Sequence, residues 1–445
     1  MQLFSIGLVQ LHPDGSLKLS SGGHPIPTYG QDDVVNLARV FTGWSFSKRN
    51  SPSGSATVID NTTFNYGSGN RYYQAQWLHP MKQFPAYHDT GAKAVLGLTL
   101  PAGRTGEEEL GDFLDHLAAH PNIAPFISKR LIQRLVTSNP SAGYIHRVAT
   151  AWNSSGGNLR AVAKAILLDY EARSLAATTL VGVGKKKEPL IHYAGLARAL
   201  QSNTELRISD LATYGPPSML DAFPAGAGRF REGDTNSSLG QTPFQAPTVF
   251  NWFYPDYSTG DAIADAGLVT PEFQIATEIN TVNHINRHYA ITTFSTGESA
   301  SSLPNYAATG YGANADHLIP DATLGAAATQ EREKVYMAVM DQNGDGFVTA
   351  AGDPLTFNKP AKIREACAAL VDHLDLLLCA GTLKADYGGS TDPNNPRDTV
   401  IQFLAANSTY LDDYDNTIDQ ERVRHDRYEM AAYMISISPQ SMIQR

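Results

Sequence analysis

From Thr105 to Arg173 the chain spells out four helices in close succession, and this run constrains the fold more than any other. Thr105 with Glu108 three residues on forms a capping box, and Glu107 to Glu109 suit the positive end of the helix that follows. Helices are expected at about 106–119, 122–137, 141–153 and 157–170, with Pro121, Asn139 and Pro140 at the joints. In the second of them Ile123, Phe126, Ile127 and Leu131 form an apolar face, and Arg130 and Arg134 a basic one.

The same signals recur elsewhere. Thr28 and Gln31 read as a capping box opening a helix to about Thr42, with Val34, Leu37, Ala38 and Phe41 on one face. Glu188-Pro189 opens a helix to about Leu200, and Pro271 another to about Ala290. Further helices are expected at 328–340, 360–380, 395–406 and 417–436. Residues 1–11 read as the tail of a core helix, and Asp14-Gly15 and Gly22-Gly23 as turns of a short hairpin. Ala94–Leu100 reads as a short strand, while 47–70, 203–269 and 295–320 read as loop. The expected fold is mainly α: a multi-helix globular protein with long ordered loops and a minor β component of short hairpins.

At 445 residues the chain can bury a sizeable core. Its net charge of −10 argues against nucleic acid as the main partner, because phosphate binding needs concentrated Lys and Arg. The compact basic run Lys185-Lys186-Lys187 reads as solvated surface. Cys367 and Cys379 fall in one helical run, where 12 residues give roughly 18 Å of rise. A disulfide needs Cα atoms within about 7 Å, so both read as buried small hydrophobes. No run of 18 apolar residues exists to span a membrane. Met1 opens without a basic segment or small-residue cleavage site, so the chain carries no signal peptide and reads as beginning in mid-domain.

The irregular segment Trp77–Gly97 gathers His79, His88, Asp89, Lys82 and Lys93 among aromatics and prolines. Polar groups in a connection without helical or strand period are what a binding loop on a scaffold looks like. His79, His88 and Asp89 are candidates for a metal site or for acid–base work, with Lys93 beside them. Adjacent His88 and Asp89 point to opposite sides of an extended segment, so a further His or carboxylate from elsewhere would be needed. The plainer expectation is that the histidines and Lys93 hydrogen-bond the loop's own backbone and stiffen it.

Asp341–Asp353 has the sharpest local motif. Asp341, Asn343, Asp345, the Phe347 carbonyl and Thr349 stand where an EF-hand loop places its ligands, with Gly346 at the turn. Position twelve is Gly352, and Asp353 follows one residue late. Residues 328–380 are thus expected to form a helix–loop–helix around a structural calcium ion. His284 and His288 stand at i, i+4, a spacing able to grip a metal, but Ile285, Asn286 and Arg287 between them lack a metalloprotease glutamate. They read as an exposed helix face. Trp252, Phe253, Tyr254 and Tyr257 either stack on a ligand such as a sugar ring or plug the core between helices, the latter being the plainer expectation.

Several phrases resemble one bacterial family, called domain of unknown function 1800. They are MQLFSIGLVQLHPDG (1–15), DDVVNLARVFTGW (32–44), HDTGAKAVLG (88–97), HPNIAPFISKRLIQRLVTSNPS (120–141), LRAVAKAILLDYEAR (159–173), LGQTPFQAPTVFNWFYPDY (239–257) and RYEMAAYMISISPQSMIQR (427–445). The resemblance covers nearly all of 1–445 and implies one family-type domain. It also implies a helical N-terminal part before Met1, export across the inner membrane, and an exported sulfatase-like partner. On this reading the protein is an extracytoplasmic, calcium-stabilised accessory or binding protein acting with a partner protein or a cell-surface glycan. The alternative is a hydrolase that uses the 77–97 loop with a transition metal or with a His/Asp pair.

Overall fold

The computed structural model describes residues 1–45, 48–49, 59–60, 80–174, 182–199, 239–243, 245–260, 262–292, 355–392, 394–406 and 417–444. Its fold is mainly α, with short antiparallel strand pairs, as expected from the helical signals. The chain divides into two compact units, Met1–Val183 and Gly184–Arg445.

The first unit opens on an extended ladder, not on a helix tail. Bridges pair Val9 with Pro27, Leu11 with Leu17 and Leu19 with Pro25, and Gly15 turns the chain at a φ of 80°. Buried Asn122 explains the extended backbone. Its side chain accepts the Leu11 amide at 2.6 Å and donates to the carbonyls of Ile6 (2.6 Å) and Val9 (2.9 Å). Backbone groups satisfied from outside have no need of helical partners.

The helix Gln31–Val40 is capped at Gly30, whose amide donates to Asp33 at 2.8 Å. Thr28, expected as the cap, instead donates its hydroxyl to the Gly7 carbonyl. Only Leu37 of the expected apolar face packs inward, beside buried Val40; Val34 and Phe41 are exposed. Polar contacts set the rotation. Arg39 reaches Asp89, and Asp33 accepts the Leu96 amide at 2.7 Å. The single strand expected over 94–100 is a hairpin, Lys93–Val95 against Leu98–Leu100. Leu96 and Gly97 both take positive φ (51° and 80°), which a two-residue turn of this hand requires.

Gly106–Ala118, Ile123–Leu135, Ala142–Ser154 and Leu159–Leu167 form the helical run, within a few residues of expectation. Thr105 and Glu108 make the capping box foreseen. Ile132, Tyr144, Ile145, Val148, Val162 and Ile166 form one core, while Val95, Leu100 and Phe113 close a second beneath the hairpin. Each such side chain contributes roughly 1.5–3 kcal/mol by leaving water.

The second unit is built on the helix Leu355–Cys379. Ile363, Ala366, Cys367, Leu370, Val371, Leu374 and Leu378 repeat at helical spacing and are buried. Around them pack Tyr193 and Leu196 of Pro189–Ala199, Val400, Ile401 and Leu404 of Pro396–Ala406, and Ala431, Ala432 and Ile435 of Thr417–Ser436. Both cysteines are buried and free. Lys185–Lys186, expected as solvated surface, is a strand paired antiparallel with Ile443–Gln444. Lys185 is buried because Glu272, itself buried, meets its ammonium at 2.7 Å. The helix expected from Pro271 is a 3₁₀ turn, Pro271–Gln274, followed by the helix Glu278–Thr292.

Candidate functional site

The 77–97 segment reaches the end of the first helix through Gly43, whose carbonyl accepts the Phe84 amide at 2.8 Å. A Cβ on Gly43 would stand 2.8 Å from the Phe84 carbonyl, and its φ is 81°. Glycine therefore allows the close crossing that turns His88 and Asp89 toward the first helix.

His88 is enclosed on both ring nitrogens. Nδ1 lies 3.1 Å from the Thr42 carbonyl, and Nε2 lies 3.2 Å from Glu109 Oε2, close in distance but off line for a hydrogen bond. Lys93 Nζ lies 2.8 Å from each Glu109 oxygen. It also donates to the Gly91 carbonyl at 3.0 Å and to the Asp89 carbonyl, which are the loop's own backbone. The His88, Lys93 and Glu109 side chains are at most 1 % exposed. Glu109 is thus the carboxylate from elsewhere that His88 lacked in sequence. The Lys93 ammonium balances its charge.

Asp89 points away, as its adjacency to His88 requires. Arg39 takes it with two parallel bonds, Nε to Oδ2 at 2.8 Å and Nη2 to Oδ1 at 3.1 Å. Arg39 and the Gly91 amide hold its carboxyl well below the usual carboxylate range. His79 lies outside the described residues. So do all six positions of the calcium-like loop: Asp341, Asn343, Asp345, Phe347, Thr349 and Asp353.

In the second unit none of Trp252, Phe253, Tyr254 and Tyr257 is fully buried, and Tyr254 is exposed. They do not plug the core. The loop is pinned from within: the Tyr254 amide donates to Gln274 at 2.7 Å, and the Thr270 amide to the Tyr257 carbonyl at 2.7 Å. Phe250 and Tyr254 rings lie 5.2 Å apart.

His284 and His288, expected on an exposed face, are buried at 3 % and 0 %. The reason is a third histidine. His192 of Pro189–Ala199 packs on both, its ring stacked on His288 at 4.7 Å and edge-on to His284 at 5.2 Å. His192 Nδ1 is 3.3 Å from His284 Nε2. His192 Nε2 is 2.9 Å from the Ser441 hydroxyl, and His288 Nδ1 is 3.0 Å from that of Ser436. Burial holds His284 down to about 4 and the other two well below the ordinary imidazole range, so all three rings are neutral. One ring nitrogen from each lies within 4.8 Å of the others. Neutral imidazoles so placed are nitrogen donors for a borderline cation, and no oxygen set suited to calcium is among them.

Spacing alone pointed at His284 and His288. Nothing in sequence linked them to His192, which precedes His284 by 92 residues, nor Glu109 to His88, because both pairings are tertiary. The capping box placed Glu109 in the first turn of its helix without showing that the side chain turns inward.

No curated protein and no solved structure matches the chain significantly. A family model described as "Protein of unknown function (DUF1800)" matches residues 1–387, which agrees with the resemblance carried by the phrases quoted above between residues 1 and 257; the phrase at 427–445 lies beyond the matched span. With most of its length matched, the chain belongs to the DUF1800 family.

Proposed function

We propose that this protein is a non-catalytic accessory or binding protein of the extracytoplasmic space, presenting the 252–257 loop to a cell-surface glycan. The observation that carries this reading is the loop itself: four aromatic rings, none fully buried, on a backbone pinned by Gln274 and Tyr257–Thr270. Rings held before a ligand arrives lose little freedom on binding, and their faces suit the apolar faces of sugars. The extracytoplasmic location rests on the family resemblance, as does an exported partner protein; a structural calcium ion at 341–353 belongs to the same proposal.

The hydrolase alternative is less favoured by the geometry. The His88–Glu109 contact has the elements of an oriented base, but both side chains are buried and Lys93 neutralises the carboxylate. A general base must come within hydrogen-bond reach of the proton it takes.

Titrating the full chain with soluble cell-surface polysaccharide fragments, followed by tryptophan fluorescence, tests the proposal. Saturable binding that weakens about tenfold or more in Trp252→Ala and Tyr257→Ala, at unchanged melting temperature, is expected. Binding equal in wild type and both variants, or none at all, overturns it.

A further inference from the structure

We propose that His192, His284 and His288 form a binding site for one divalent first-row transition ion of the zinc class, locking the helix Glu278–Thr292 to the helix Pro189–Ala199. The inference is independent of the glycan reading.

Hydrogen bonding around His288 carries it furthest. Ser436 donates its hydroxyl proton to the Tyr433 carbonyl at 2.8 Å, so the oxygen can only accept from His288 Nδ1. The proton of this neutral ring therefore sits on Nδ1, and the lone pair on Nε2. That Nε2 is buried and has no hydrogen-bond partner. Leaving a buried acceptor unpaired costs about 1–3 kcal/mol, a penalty that a metal at that nitrogen removes. A ring nitrogen protonated toward a hydroxyl while the other faces a site is how ligand histidines are oriented.

The second observation is spacing. Two nitrogens each about 2.0–2.1 Å from a tetrahedral zinc ion stand about 3.3–3.4 Å apart. His192 Nδ1 and His284 Nε2 are 3.3 Å apart, and one ring nitrogen from each of the three histidines, His288 included, falls within a 4.8 Å cluster. The i, i+4 spacing brings His284 and His288 to one helix face, and the Ser441 hydroxyl holds the far nitrogen of His192. A nitrogen-only set excludes calcium and magnesium, which take oxygen. Lys186 brings a positive charge near His284 and His288, which works against a cation. Lys187 adds a second positive charge near His192, and Glu272, already paired with Lys185, tempers Lys186 only in part. Three protein ligands leave a fourth position, which water fills in sites of this kind.

The test uses the full chain, stripped with chelator and titrated with zinc chloride and cobalt chloride. One ion per chain is expected, with the intense visible bands of four-coordinate cobalt. X-ray absorption at the zinc edge should show imidazole scattering from three ligands. His288→Ala should abolish both signals. Ser436→Ala keeps every ligand and should weaken zinc binding about tenfold to a hundredfold. Should His288→Ala fail to fold, the wild-type absorption spectrum still decides. A folded wild type that takes up neither ion overturns the inference, as does a zinc shell without imidazole or binding unchanged by both substitutions.

Discussion

Lys93 and Glu109 form a buried ion pair, the ammonium 2.8 Å from each carboxylate oxygen. Removing one partner leaves the other charge stranded. Glu109→Gln is expected to cost about 3–5 kcal/mol in urea unfolding, whereas Lys93→Met with Glu109→Leu should recover most of that loss. A single-variant loss below about 1 kcal/mol would mean the pair does not hold the loop.

Asp89 gives the acid limb of stability a defined sign. Its folded pKa lies below its unfolded value, chiefly through the Arg39 hydrogen bond. The stabilisation is therefore fully present above the unfolded value near pH ~4 and lost as pH falls below it. Asp89→Asn should lower the urea midpoint at pH 7 and leave less to lose on acidification. Parallel curves for the two proteins down to pH ~3 would show that Asp89 contributes nothing there.

Gly43 and Gly97 separate conformation from crowding. Both have φ near 80°, but a Cβ at Gly97 meets nothing within 4 Å while one at Gly43 meets backbone at 2.8 Å. Gly97→Ala should cost about 1–2 kcal/mol, the strain of the left-handed region. Gly43→Ala should cost more, since the Phe84 carbonyl must move. Equal losses in thermal unfolding would refute the crowding.

Asp375 caps the turn after the long helix. Its carboxylate accepts the Leu383 amide at 3.0 Å and the Lys384 amide at 2.8 Å, around Ala380 and Gly381 at positive φ. Asp375→Ala is expected to destabilise by about 2–3 kcal/mol, with Asp375→Asn, which keeps one acceptor oxygen, between it and wild type. Denaturant midpoints in the reverse order would rule out this capping role.

Helix positions were legible wherever a local rule decides them. The Thr105–Glu108 capping box, the proline joints and the repeat from Ile363 to Leu378 all act within a few residues of chain. The same local reading misplaced 1–11, because Asn122, more than a hundred residues on, satisfies that backbone. It misjudged Lys185, whose charge is matched by Glu272, and the first helix, whose rotation follows Arg39 and Asp33 instead of its apolar stripe.

Sequence by itself therefore determined the mainly α class, the positions of most helices, the family and the loop that gathers His88, Asp89 and Lys93, since periodicity, caps and motif phrases are written along the chain. Tertiary structure decided which charges are matched and which histidines meet. His88 found Glu109, and His284 and His288 found His192, through folding alone. The physical reason is that a buried polar group is tolerable only with a partner, and the partner's distance along the chain carries no local signal.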